Sequence, residues 1–307
     1  MKDNLRFLCE LPIYQEEQPY QLFGFPEQDS IACENCEFEA KDVEVADARE
    51  CEVTIAEHGF TFVCFKSACP LVARHFETVG GDPTVLMQYL EETIGFARAI
   101  FKPLDVVCFD WRFRRRDPRT GPGIPPRNLN DIRNFALPTG DVVHCDYSAD
   151  GGLDRLKIQL LPNELDDFHR KTRTAMIVNV WRPLNDVVRN TPLLFCDRRT
   201  VAKQDLIEVD KVLPDKVEKS YFLFYRDYHR WYSLSGQRSD EVAVFPTWTS
   251  EPGGDFADCC PHGAGASQTD NWADPRESIE VRLLLIFEKP MAVETVFIIA
   301  CTHSTAE

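Results

Sequence analysis

The stretch Val142-Val143-His144-Cys145-Asp146-Tyr147 is an apolar run that carries one imidazole and one carboxylate two residues apart. Side chains of a strand alternate between its two faces, so His144 and Asp146 project together and Cys145 points the opposite way. The chain beyond this stretch has the same strand character. Residues 175–181, 193–196, 221–225, 241–245 and 278–287 are short apolar or alternating segments separated by Pro, Gly and Asn turns. Such spacing predicts a mainly β protein, a barrel or jelly roll with helices packed outside it.

Upstream, residues 53–65 read as strands around a turn at His58-Gly59, and residues 105–113 as a further strand that runs into the basic cluster Arg112, Arg114, Arg115 and Arg116. Asp82-Pro83 has the form of an N-cap followed by proline at the first helical position. Leu86, Leu90, Ile94 and Ala97 then recur at helical spacing, which predicts a helix to about Phe101. Residues 153–172 are also read as helical. Residues 1–50 are acidic and interrupted by Pro12, Pro19 and Pro26, and are expected to form an irregular segment ahead of a single domain over 51–307. Residues 121–138 lack periodicity and precede the His144 strand, which suits either a lid over that site or a plain linker.

Lys and Arg total 34 against 50 Asp and Glu, a net charge of −16. A chain this acidic repels phosphate backbones and anionic lipid, so nucleic acid and membrane surfaces are not its expected partners. Its start lacks the apolar core of a secretory signal, so the twelve cysteines are expected as reduced thiols in a cytoplasmic protein.

An imidazole and a carboxylate converging from one strand are two thirds of a facial Fe(II) site, and His262 is read as the third ligand. Three protein ligands on one face leave room for a bidentate 2-oxo acid and for O2. Such a cosubstrate, 2-oxoglutarate, needs a cation for its far carboxylate, and arginine matches a carboxylate bidentately. Arg276 follows His262 at suitable distance, Ser278 shares its strand face, and Arg282, on the same face again, competes for the role. Oxidative decarboxylation of the 2-oxo acid would then supply an oxidant able to remove an unactivated hydrogen.

Rival readings concern His229, Cys259, Cys260 and Cys33-x-x-Cys36. The aromatic density of Tyr228-His229-Arg230-Trp231-Tyr232 favours a packed or substrate-lining role for His229 and Trp231. Cys259 and Cys260 are expected to face away from the metal, because thiols beside oxidising iron are vulnerable. Cys33 and Cys36 lack the second pair that a structural zinc site requires.

Several stretches together resemble the AsaB-type hydroxylase/desaturase family of fungal secondary metabolism, which is grouped with gibberellin desaturases and the small chain of cephem methoxylases. They are Glu57-His58-Gly59-Phe60, His144-Cys145-Asp146-Tyr147-Ser148, Asn179-Val180-Trp181-Arg182-Pro183-Leu184 and Cys196-Asp197-Arg198-Arg199-Thr200-Val201. His229-Arg230-Trp231-Tyr232 and Pro275-Arg276-Glu277-Ser278-Ile279-Glu280-Val281-Arg282 complete the set, in order, over about residues 52–288. The resemblance implies an Fe(II)/2-oxoglutarate oxygenase with a double-stranded β-helix core. It assigns iron to His144, Asp146 and His262, and the cosubstrate to Arg276 or Arg282. Asn179, Trp181 and Arg182 would line the cavity. The distal segment departs from the family in lacking an aromatic shortly after Pro261-His262, which bears on pocket shape.

The leading expectation is therefore hydroxylation, desaturation or oxidative cyclisation of a small secondary metabolite, amino-acid- or peptide-derived compounds among the candidates. A non-catalytic partner subunit and a cupin-like metalloenzyme without 2-oxoglutarate are the alternatives. A homodimer is compatible with base rates and nothing more.

Overall fold

The computed structural model describes residues 1–23, 32–77, 80–116, 139–253, 258–266 and 275–289. Residues 121–138, read as a lid or a linker, lie outside them. The first half of the chain supplies β1 (Lys2–Leu8), β2 (Tyr20–Leu22), β3 (Phe38–Asp47), α1 (Ile55–His58), β4 (Thr61–Cys64), α2 (Pro83–Phe101) and β5 (Asp105–Arg115). Next come β6 (His144–Cys145), α3 (Ala149–Gln159), α4 (Pro162–His169), β7 (Arg173–Pro183), β8 (Leu193–Cys196) and β9 (Leu206–Leu213). The chain continues through β10 (Lys216–Leu223), β11 (Trp231–Ser233), β12 (Glu241–Thr249), β13 (His262–Ala264) and β14 (Glu277–Glu288).

Local chemistry accounts for the helix ends. The Asp82 side chain accepts from the Thr84 and Val85 amides, Pro83 opens α2, and Lys102 closes it in a left-handed conformation ahead of Pro103. The helix expected over 153–172 is two helices, because Pro162 forces Leu161 into extended backbone between them. Of the two strands expected in 53–65, only β4 forms. Thr54 caps a one-turn helix instead, accepting from the Glu57 amide, and Gly59 ends it at φ +87°.

Two sheets make the core. The smaller runs β4-β12-β7-β14-β5, and α2 packs on its outer face through Tyr89 and Ala97 against Val178, Val180 and Val281. The larger runs β1-β3-β11-β8-β13-β6-β10-β9-β2. Trp181, Ala243 and Phe245 of the smaller sheet meet Leu193 and Phe195 of the larger, so the sheets face each other. This is a jelly roll, one of the arrangements that the strand spacing predicts, in the double-stranded β-helix form that the family resemblance implies.

Residues 1–50 correct the expectation of an irregular segment. β1 and β3 pair antiparallel from Lys2↔Glu44 to Leu8↔Phe38, and β3 joins β11 in parallel. β1 then bridges to the residues leading into β6. The Val143 amide donates to the Arg6 carbonyl and the Arg6 amide to that of Asp141. The larger sheet thereby closes on itself, and its interior holds Phe7, Val45, Val143, Cys145, Cys196 and Trp231. The signal for β1 and β3 was weak because their partners are distant in sequence and prolines lie between them.

Candidate metal centre

His144 and His262 occupy directly opposed positions of β6 and β13, with ring centres 4.6 Å apart. Each ring is held by its own chain. Nδ1 of His144 lies 2.7 Å from the Val142 carbonyl, and Nδ1 of His262 lies 2.9 Å from the Cys260 carbonyl. A carbonyl oxygen only accepts, so each Nδ1 carries the hydrogen and each Nε2 presents a lone pair. Asp146 follows His144 by two residues, with 3.8 Å between its Oδ1 and the His144 Nε2. One donor atom from each of these three residues falls within 4.8 Å of the others. Burial and the neighbouring His262 hold the His144 imidazole well below its ordinary pKa, so it is neutral and ready to ligate at pH 7.

Asp146 is oriented from the facing sheet. Asn179 Nδ2 donates to its Oδ2 at 2.6 Å, and Arg282 donates to its Oδ1 at 2.7 Å. Burial alone would raise this carboxyl, but the Arg282 guanidinium outweighs burial and holds it far below the usual carboxylate range. Arg282 also binds Glu280 at 2.9 Å and Asp110 at 3.3 Å, so its fork is committed to carboxylates of this protein. It positions the metal-side carboxylate rather than standing ready for a cosubstrate.

Arg276 presents the opposite case. It is buried, stacks 5.4 Å over the Trp181 ring and donates from one terminal nitrogen to the Thr191 carbonyl at 2.7 Å. Its Nε has no partner among the described residues, and neither does the buried Ser278 Oγ two residues on. Orphaned buried donors are costly, and a pair of them two residues apart at the start of β14 marks a place for an acceptor group. Thr191 holds its carbonyl toward Arg276 from a left-handed backbone, φ 49°, where a β-branched residue is strained.

The remaining expectations divide by strand face. On β7, Asn179 and Trp181 pair with Arg282 and Glu280 of β14 and share the cavity face with them. Arg182 points the other way, which corrects its expected place in the cavity. It donates to the Phe65 and Ser239 carbonyls and to the Tyr89 hydroxyl, beneath α2. His229 and Trp231 are corrected as well. His229 Nε2 sits 3.3 Å from Asp205, with both side chains fully buried, and Trp231 packs edge-on against Phe7 inside the closed part of the larger sheet. The aromatic density around them reflects this N-terminal core.

No cysteine belongs to the ligand group among the described residues. Cys145 points away from the metal side, its Sγ 2.7 Å from that of Cys259. Cys36 is buried and Cys33 exposed, and no metal-binding cluster of the described residues includes either.

The basic cluster noted in the sequence turns Arg112 and Arg114 into an ionic lining of the cavity, a placement the sequence reading did not make. Asp110, Arg112 and Arg114 of β5 lie opposite Arg282, Glu280 and Ser278 of β14, so all share one face. The period-two alternation of Asp110-Trp111-Arg112-Phe113-Arg114 carried this signal, with the charges inward.

Fold and donor set together define a class, a double-stranded β-helix protein carrying a facial His/Asp/His group. The chain belongs to the oxidoreductase/YMDC permease-like domain family, whose sequence pattern matches residues 6–286. Among its relatives, the Fe(II)/2-oxoglutarate-dependent dioxygenase nvfI of Aspergillus novofumigatus is 29% identical over 238 residues, covering 74% of this chain and 76% of the relative. The hydroxylase/desaturase asaB of Aspergillus flavus is 33% identical over 137 residues, 40% of this chain and 60% of the relative. A solved structure of the iron and alpha-ketoglutarate-dependent endoperoxidase NvfI superposes with a TM-score of 0.75 at 26% identity, over 94% of this chain and 98% of that one. These likenesses bear out the resemblance read from the sequence. No helix among the described residues is long and apolar enough to cross a membrane.

Proposed function

We propose that this chain is a non-haem Fe(II)/2-oxoglutarate-dependent oxygenase that hydroxylates, desaturates or oxidatively cyclises a small secondary metabolite. The observation that carries the reading is the convergence of His144, Asp146 and His262, with two orphaned donors, Arg276 Nε and Ser278 Oγ, where the chain enters β14 of the facing sheet. Two imidazoles and one carboxylate on one face suit Fe(II) and leave positions for a bidentate 2-oxo acid and O2. Bound there, iron with its cosubstrate supplies the oxidising power, as cofactors do generally.

The residues of the chain hold and shield that chemistry. His144 and His262 ligate through Nε2, fixed by their Nδ1 bonds to backbone carbonyls. Asn179 and Arg282 fix the Asp146 carboxylate. Arg276 and Ser278 take the far carboxylate of 2-oxoglutarate, with Trp181 as a flat support under the guanidinium. Phe195 and Phe245 stand close to the His262 ring, the latter at 4.7 Å, and keep water from that side.

Anaerobic addition of Fe(II) and then 2-oxoglutarate to the metal-free chain is expected to produce the visible charge-transfer band of a chelated 2-oxo acid. Admission of O2 is expected to yield succinate. Bound iron without that band would sink the 2-oxoglutarate part of the reading. No bound iron would sink all of it.

A further inference from the structure

Two buried thiols lie side by side directly behind the metal ligands. Cys145 is the neighbour of His144 on β6, and Cys259 precedes His262 by three residues. Their Sγ atoms are 2.7 Å apart, inside the core of the larger sheet with Val143, Cys196 and Trp231. A disulfide needs about 2.05 Å, so each sulfur would move only roughly 0.3 Å to close one. The contact is selective. Cys260 turns to the cluster of Phe195 and Phe245, and its Sγ approaches the Cys196 carbonyl at 3.9 Å. The Cys196 Sγ in turn lies 3.9 Å from the Thr200 hydroxyl.

The backbone link between the two ligand segments is slight. β6 is two residues long and meets β13 at one pair, His144↔His262. The thiols are 114 positions apart in the chain, so a bond between them closes a long loop and constrains the unfolded chain strongly. Cys145 is fully buried while Cys259 keeps 6% of its surface exposed, so a small oxidant meets Cys259 first.

We propose that Cys145 and Cys259 form an oxidation site, at which hydrogen peroxide makes a disulfide that staples the His144 and His262 segments together. The Cys259 Sγ takes one oxygen of the peroxide, giving a sulfenic acid and one water. The Cys145 sulfur then displaces that oxygen, which leaves with the thiol proton as a second water. Two S–H bonds and the O–O bond break, one S–S and two O–H bonds form, and two electrons pass from sulfur to peroxide. Thiol reductants reverse the bond by exchange. Because the Cys145 side chain lies on the face of β6 opposite the metal side, closing the bond consumes no ligand.

The test treats the full metal-free chain with hydrogen peroxide, caps the remaining thiols with N-ethylmaleimide and maps the digested peptides by mass spectrometry. A Cys145–Cys259 linked pair is expected, two hydrogens lighter than the separate peptides and lost on adding dithiothreitol. The oxidised chain is expected to melt about 5 °C or more above the reduced chain. Cys259→Ala should abolish that gain, and mapping of the native chain decides the pairing even where the variant folds poorly. Loaded anaerobically with Fe(II), the oxidised chain should release iron to a chelator about threefold more slowly, as a rigidified site does.

Oxidation of the exposed Cys33, Cys51 and Cys64 with no Cys145–Cys259 pair would overturn the proposal. So would a linked chain that melts lower than the reduced one or yields its iron faster. Mapping and melting need no metal, so they stand apart from any failure of the oxygenase reading.

Discussion

Arg282 and Asp146 meet across the cavity at 2.7 Å, a guanidinium of one sheet bonded to the metal-side carboxylate of the other. The contact ties the two sheets together at the donor group and leaves only part of the carboxylate for a metal. Outer partners of this kind are worth about 10–100-fold in metal affinity. Arg282→Met is therefore expected to weaken Fe(II) binding by about that factor, read by anaerobic titration of the metal-free chain. Unchanged iron affinity with weakened 2-oxoglutarate binding would instead make Arg282 the cosubstrate anchor.

Arg276→Met should show the converse pattern. Iron binding persists, while half-saturation by 2-oxoglutarate rises by about two orders of magnitude, the loss of a buried bidentate charge-assisted contact worth roughly 2–3 kcal/mol. Ser278→Ala should act in the same direction and more weakly. Titrations of the charge-transfer band in the two arginine variants, run side by side, separate the roles that sequence left open.

His144→Ala and His262→Ala should each abolish the band and lower turnover at least a hundredfold, since they remove ligands rather than outer partners. The His144 side chain is half-buried and bonds one carbonyl two residues away, so its variant should remain folded, which circular dichroism would check. Retention of stoichiometric iron in either variant would contradict the ligand assignment.

Asp205 gives a pH prediction away from the metal. Burial would raise its carboxyl, but bonds from the Tyr228 hydroxyl, at 2.9 Å, and from His229 and the Ala202 amide outweigh burial and lower it. A folded-state value below that of the unfolded chain means that the unfolded chain takes up protons first. The contribution is therefore complete above the unfolded value of about 3.9 and lost as pH falls through the depressed one. Asp205→Asn is expected to cost about 2 kcal/mol at pH 7, with the gap from the native chain closing below about pH 4. Urea unfolding at the two pH values measures it, and a gap independent of pH would refute it.

Gly151→Ala tests the turn after the ligand strand. A Cβ at this position in α3 would overlap the Lys219 backbone carbonyl, which has no flexible end to move aside. A loss of about 1–3 kcal/mol is expected, seen as a lower melting temperature. An unchanged melting temperature would mean that α3 shifts without cost.

How far the sequence could be read follows from where each signal was local. The His-x-Asp pair, the α2 cap and proline, and β8 are local patterns, and each stands where it was expected. β7 shows the limit. It is buried on both faces, so alternation alone could not say that Asn179 and Trp181 face the cavity while Arg182 lies under α2. His229 and Trp231 failed for a related reason: an aromatic run announces burial without naming the core it enters.

The closure of the larger sheet by β1 also sets an order of events in the cell. Arg6 stands 135 positions ahead of Asp141, its ion-pair partner, and its backbone bonds join the same neighbourhood just before the first metal ligand. At a synthesis rate of roughly 5–20 residues per second, β1 waits on the order of ten seconds before the strand it must hold exists. In the interval β3 is its mate among the described residues. A nascent chain captured before β6 emerges would thus have its β1–β3 pairing but no seat for iron, so metal loading is a late act of biogenesis that depends on residues made well before the ligands.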